Sequence, residues 1–193
     1  VVVGAHANSS GLQSGGWTID WQGTDRNYSG ATTVLQGIER IAEGQVIYDA
    51  EGTGKHQEAD LAVICVGEPP YAEFFGDIGH ESNTLELKLP QKQQTCIANY
   101  HSQGVPTVVL LFSGRPLVVT PEIEMSDAFI AAWLPGSEGD GIAEVLFGKY
   151  NFKGRLPHSW PASMDDYKGK YGPNYWEDSI KPLFPLGYGL SYD

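Results

Sequence analysis

The chain has 193 residues, 41% of them hydrophobic, which is enough for one domain with a well-buried core. Lys and Arg total 12 against 24 Asp and Glu, a formal net charge of −12 at pH 7 with a pI of about 4.7. Such an acidic balance disfavours nucleic acid and anionic membranes as partners and leaves neutral ligands open.

The chain opens on Val1-Val2-Val3-Gly4, a buried-strand pattern with no initiator Met and no lead-in. It therefore reads as an excerpt, and the absence of a visible signal peptide says little about export. No run of about 18 apolar residues is present to span a bilayer. Short apolar runs bounded by turn residues recur at 1–5, 45–50, 61–67, 107–114 and 128–136 and read as buried strands. Helical patterns lie between them. Val34, Leu35, Ile38, Ile41 and Ala42 recur at helical spacing, and a second stretch runs from Pro90 to Ser102 and stops at Gly104. A third runs from Glu138 to Phe147, with Ser137 as its expected N-cap and Gly148 as its stop.

Continuous rather than alternating hydrophobicity in the strands means that both of their faces are covered. The expected fold is therefore α/β: a three-layer α/β/α sandwich of about six mostly parallel strands with helices on both faces. Segment 154–160 is the candidate for the additional edge strand, where Pro157 is tolerable. The core is expected over about residues 1–160. After it the texture turns to Pro, Gly, Tyr and Trp without periodicity, an irregular tail over about 161–193 whose aromatics favour wrapping onto the domain. Cys65, inside an apolar run, and Cys96, in a helical segment, read as packed thiols.

In open parallel sheets the loops at the carboxyl ends of strands converge on the ligand crevice. Loop 5–23 is rich in Gly and Ser and carries Trp17 and Trp21. Loop 67–82 places Glu68, Glu73, Asp77 and Glu81 beside Tyr71, Phe74 and Phe75, and a third loop covers 134–141. Acidic groups among aromatics suit a carbohydrate site, because sugar rings stack on aromatic faces while carboxylates accept hydroxyl hydrogen bonds or move protons. A glycosidase needs a carboxylic acid for the leaving oxygen, and adjacent apolar surface raises its pKa. Glu73, between Ala72 and Phe74, fits that role, and Tyr71 and Phe74 are candidates for sugar contact. Residue chemistry alone also allows Glu73 to be solvated charge and Trp17 to be a packing residue.

Dinucleotide, P-loop and nucleophile-elbow motifs are missing. His6, His56, His80, His101 and His158 show no metal-ligand spacing and most read as surface or capping residues, so neither metal nor cofactor is expected.

Five strings, LQSGGWTIDWQG, VGEPPYAEFFGD, LLFSGRPLVV, AAWLPGSEGDGIAEVLFGKYNFKGRLPHSWP and PLFPLGYGLSY, in order and spacing closely resemble the second domain of glycoside hydrolase family 3. The likeness is nearest to its β-glucosidases and exo-β-glucanases, in which an α/β barrel precedes an α/β sandwich and the active site lies between. It implies Glu73 as general acid/base and Trp17 as part of the +1 subsite. The nucleophilic Asp would sit on the barrel, with no counterpart in this chain. Within the loop, Glu68 is the rival that more naturally braces the turn, and Asp77 is expected to order the loop. Segments 113–116 and 134–139 read as framework turns.

The implied function is that of a retaining exo-acting β-glucosidase or exo-1,3-1,4-β-glucanase domain, secreted or periplasmic. It would act in polysaccharide breakdown on terminal nonreducing β-D-glucosyl residues of β-glucosides or β-glucan oligosaccharides, with the N-terminal barrel as partner. Alternatives are a family 3 β-xylosidase or related glycosidase domain, a noncatalytic carbohydrate-binding or interaction domain and, more distantly, a nucleotide-binding α/β domain.

Overall fold

A computed structural model describes residues 1–78, 86–167 and 181–192. Five parallel strands form one sheet in the order β2-β1-β3-β4-β5: β1 (Val2–Val3), β2 (Tyr48–Asp49), β3 (Ala62–Gly67), β4 (Thr107–Phe112) and β5 (Ala128–Trp133). The helices are α1 (Ser10–Ser14), α2 (Val34–Ile41), α3 (Gln91–Ser102), α4 (Thr120–Glu124) and α5 (Gly139–Leu146).

The three-layer arrangement follows from side-chain alternation along the strands. Val63 and Cys65 of β3 face one layer with Val34, Leu35 and Ile38 of α2 and Ala143 of α5. Ala62, Ile64 and Val66 face the other with Cys96, Ile97 and Tyr100 of α3. β3 is buried along its whole length, which is why its sequence reads as an unbroken apolar run. Both cysteines are free and buried, and burial pushes the Cys96 thiol pKa up to about 12.

All five expected strands and all three expected helices form. α2 begins with a capping box in which the Thr33 hydroxyl accepts from the Gln36 backbone and the Gln36 side chain returns to the Thr33 N–H. α3 ends before Gly104 and α5 before Gly148, both with positive φ.

Three expectations are corrected. Segment 154–160 does not join the sheet. It pairs with the tail through Leu156, Trp160, Leu183 and Gly187, and only Trp160 and Phe184 form an antiparallel bridge, because Pro157 and Pro185 interrupt any longer ladder. Ser137 does not cap α5. Its hydroxyl donates to Glu138 (2.9 Å), and the helix start is tied by backbone bonds to Thr32 instead. His6 is not a surface residue but buried in a short 3-10 turn (Ala5–Asn8), stacked on Phe112. The described part of the tail packs onto the domain through Leu183 and Phe184, and Tyr192 donates to the carbonyls of Val145 and Leu146. His80, Glu81 and residues 168–180 of the tail lie outside the described residues.

The His6 Nε2–H donates to the Glu68 carbonyl (3.1 Å), and burial pushes the imidazole pKa down to about 4. The unfolded chain would take up a proton near pH 6.5, the folded chain only near pH 4, so stability is complete above pH 6.5 and falls as pH drops through that window. We expect this group to remove roughly 2–3 kcal/mol between pH 7 and 4.5. Urea unfolding should show a smaller acid loss in His6→Gln than in the parent chain.

Candidate active site

Because every strand runs the same way, the loops after β1, β3, β4 and β5 emerge at one edge of the sheet. Loop 15–23 is pressed against loop 68–77 so closely that a Cβ on Gly16 would lie 1.9 Å from the Tyr71 carbonyl oxygen. Only glycine permits that approach. The buried Gln13 side chain anchors the base of the first loop: its amide donates to Thr32 and Gly136 carbonyls, and its carbonyl accepts from the Val34 N–H.

Gln22 then joins the two loops around Glu73. Its amide donates to the Glu73 carbonyl (3.0 Å), and its oxygen accepts from the Ala72 N–H (2.8 Å). The Trp21 indole N–H donates to Glu73 Oε2 (2.8 Å), while its ring meets Phe74 edge-on at 6.1 Å and Trp17 at 6.4 Å. Asp77 Oδ2 accepts from the Phe74 N–H (3.2 Å), the ordering contact expected of it. Among the described residues, three of the four non-glycine residues with positive φ, Trp17, Ile19 and Phe74, lie in these two loops. Local backbone strain is thus concentrated around one carboxylate.

Trp17 is 69% exposed, Phe74 55% and Phe75 60%, and Glu73 is itself open to solvent. Exposed apolar patches of this kind are characteristic of interaction surfaces and ligand-binding grooves. The Glu73 pKa corrects the sequence expectation. It lies below the ordinary glutamate value, because the Trp21 indole and neighbouring hydrogen bonds favour the carboxylate and too little surface is buried to oppose them.

Glu68 differs in every respect. It is largely buried, which pushes its pKa up, and Arg115 opposes that shift from 2.8 Å. The Tyr71 hydroxyl and Gly114 N–H lie near enough to favour its charge, yet neither makes a full hydrogen bond to Oε2, which has no partner among the described residues. By pKa direction alone Glu68 would be the proton donor. Its oxygens are less available than those of Glu73, since Oε1 accepts from Arg115 and Oε2 is buried, and a general acid must reach the leaving oxygen.

Tyr71 faces the same interior. Its ring lies 4.1 Å from the Arg115 guanidinium carbon, its pKa is pushed up to about 12 chiefly by burial, and it lines a cleft of about 240 Å³ with Glu68, Gly16 and Leu134. The exposed face instead brings together Glu73, Trp17, Trp21 and Phe74. Sequence reasoning assigns Trp21 no role; the available signal is its spacing of four from Trp17 in a glycine-bounded loop. Among the described residues no group of three or more His, Cys, Asp or Glu is placed to hold a metal, and no helix is long and apolar enough to cross a membrane.

A family model described as the glycosyl hydrolase family 3 C-terminal domain matches residues 1–192. A lysosomal beta glucosidase of Dictyostelium discoideum is 31% identical across all of this chain, which covers 26% of that protein. A periplasmic beta-glucosidase of Salmonella typhimurium is 35% identical over 70% of this chain and 20% of its own length. The crystal structure of an exo-1,3/1,4-beta-glucanase from a Pseudoalteromonas species superposes with a TM-score of 0.81 at 36% identity, over 98% of this chain and 24% of that one. The chain thus spans about a quarter of the length of such relatives.

Replacing Trp21 by Phe removes the indole donor and leaves an aromatic ring. The Glu73 pKa should then rise toward the ordinary glutamate value in a carboxyl NMR titration of the domain, while that of Glu86, paired with Lys88, stays where it is.

Proposed function

This chain belongs to glycosyl hydrolase family 3, as its C-terminal domain, and from that premise we propose that it is the acid/base half of a retaining exo-acting β-glucosidase or exo-1,3-1,4-β-glucanase. The observation that carries the reading is the placement of Glu73: a solvent-facing residue whose carboxyl accepts from the Trp21 indole and whose backbone carbonyl is held by Gln22, at the centre of an aromatic face. Trp17 and Phe74 form the ledge on which a sugar ring in the +1 subsite can stack, and Tyr71 supports the loop from below.

A barrel domain of the same enzyme would cover this face and bring the nucleophilic aspartate to roughly 5 Å from the Glu73 carboxyl, the separation that retention requires. That aspartate would attack the anomeric carbon while Glu73 protonates the departing oxygen. Glu73, then a carboxylate, would take a proton from water as it releases the sugar from the enzyme. Covering the face also removes water from Glu73, which raises its pKa from the depressed value of the open domain toward that of a working acid. The substrates would be terminal nonreducing β-D-glucosyl residues of β-glucosides or β-glucan oligosaccharides, and the compartment extracytoplasmic, as in the periplasmic relative.

In the intact enzyme, Glu73→Gln should lower turnover of substrates with poor leaving groups by about 100-fold or more, with partial recovery on adding azide. Unchanged turnover would leave a carbohydrate-binding role as the better reading. Residues 1–193 alone should hydrolyse an aryl β-glucoside no faster than buffer, and near-enzyme rates from them would contradict the division of the site.

A further inference from the structure

Loop 68–77 carries Glu73 with neither strand nor helix to hold it, yet one side chain grips it at three points. Arg115, in the turn after β4, donates through Nε to Glu68 Oε1 (2.8 Å), and its Nη2 approaches the same oxygen at 2.8 Å. Its Nη1 donates to the Gly76 carbonyl (2.6 Å), and its guanidinium sits over the Tyr71 ring with Cζ 4.1 Å from the ring centroid. The three contacts fall before, within and after the segment that presents Glu73. Gly76 closes the arrangement, since a Cβ there would meet the Tyr71 ring at 2.3 Å.

The pair is largely withdrawn from water, the Arg115 side chain 20% exposed and that of Glu68 10%. Desolvating two charges is expensive, and apolar side chains of similar size would stabilise a turn at least as well. What a guanidinium adds is a rigid planar fork that satisfies a carboxylate, a carbonyl and an aromatic face in one geometry, which an ammonium cannot reproduce. The exposed half of the loop is held through its backbone, by Gln22 at the Ala72 N–H and the Glu73 carbonyl and by Asp77 at the Phe74 N–H. The Glu73 carboxyl accepts from the Trp21 indole, with the Trp17 side chain also near enough to favour its charge, and Phe74 adopts a φ of 70°.

We propose that Arg115, acting with Glu68 and Tyr71, is the positioning residue that fixes the Glu73 carboxyl where it can donate its proton. The inference rests on the reading of Glu73 as general acid and adds to it a clamp behind the active face.

The test uses the intact enzyme and a series of aryl β-glucosides running from 2,4-dinitrophenyl, which departs without protonation, to 4-methylphenyl, which needs it. Arg115→Lys keeps the charge and loses the fork. If the clamp positions the acid, kcat/KM for the 4-methylphenyl glucoside falls about 100-fold, that for the dinitrophenyl glucoside falls less than about threefold, and the dependence on leaving-group pKa steepens. The double variant Glu73→Gln with Arg115→Lys should then be no slower on the 4-methylphenyl glucoside than Glu73→Gln alone. Equal losses across the series, or additive losses in the double variant, overturn the clamp. A flat leaving-group dependence in Glu73→Gln itself overturns the general-acid reading instead, so the two failures are distinct. Should Arg115→Lys not fold, Glu68→Gln combined with Arg115→Met removes both charges together, and the same series decides with the same outcomes.

Discussion

All five strands of the sheet run parallel, and the rest of the site depends on that constraint. Parallel pairing sends every strand-to-helix loop out at one edge, so residues as distant in sequence as Gly16, Tyr71, Arg115 and Leu134 become neighbours. The remaining features are refinements of that convergence. Gln13 ties the first loop to the start of α2, Gln22 joins the two loops around Glu73, and Arg115 holds the second loop from behind.

The two carboxylates of loop 68–77 show how environment separates roles within a few residues. Burial and Arg115 commit Glu68 to the framework, whereas exposure and an indole donor leave Glu73 ionised and accessible. A proton donor needs the opposite protonation state, so on the proposed reading the domain presents an acid that is not yet an acid. The missing ingredient is desolvation, which a covering domain would supply while also hiding Trp17, Phe74 and Phe75.

Much of the fold is legible in the sequence because its signals are local and strong. Unbroken apolar runs announce β3 and β4, helical spacing announces α2, and glycine stops mark the ends of α3 and α5. The bracing of Glu68 and the loop-ordering bond of Asp77 can be expected from their positions at the ends of a strand and a turn. What escapes is set by contacts between segments far apart in the chain. His6 reads as a polar loop residue and is buried only because β3 and β4 bring Glu68 and Phe112 beside it. Trp21 reaches Glu73 across 52 residues. Segment 154–160 resembles an edge strand until the tail, with its own prolines, pairs with it instead. The acidity of Glu73 is misread from sequence because its apolar neighbours, Phe74 above all, point into solvent beside it rather than over it.

The central claim, that Glu73 becomes a proton donor only when its face is covered, is tested most directly by measuring its pKa in two settings. Carboxyl NMR reads it in the domain alone, and in the intact enzyme it appears as the alkaline limb of kcat/KM, a limb that Glu73→Gln should abolish. The account predicts a value below that of ordinary glutamate in the domain and above it in the intact enzyme. The same depressed value in both would contradict it.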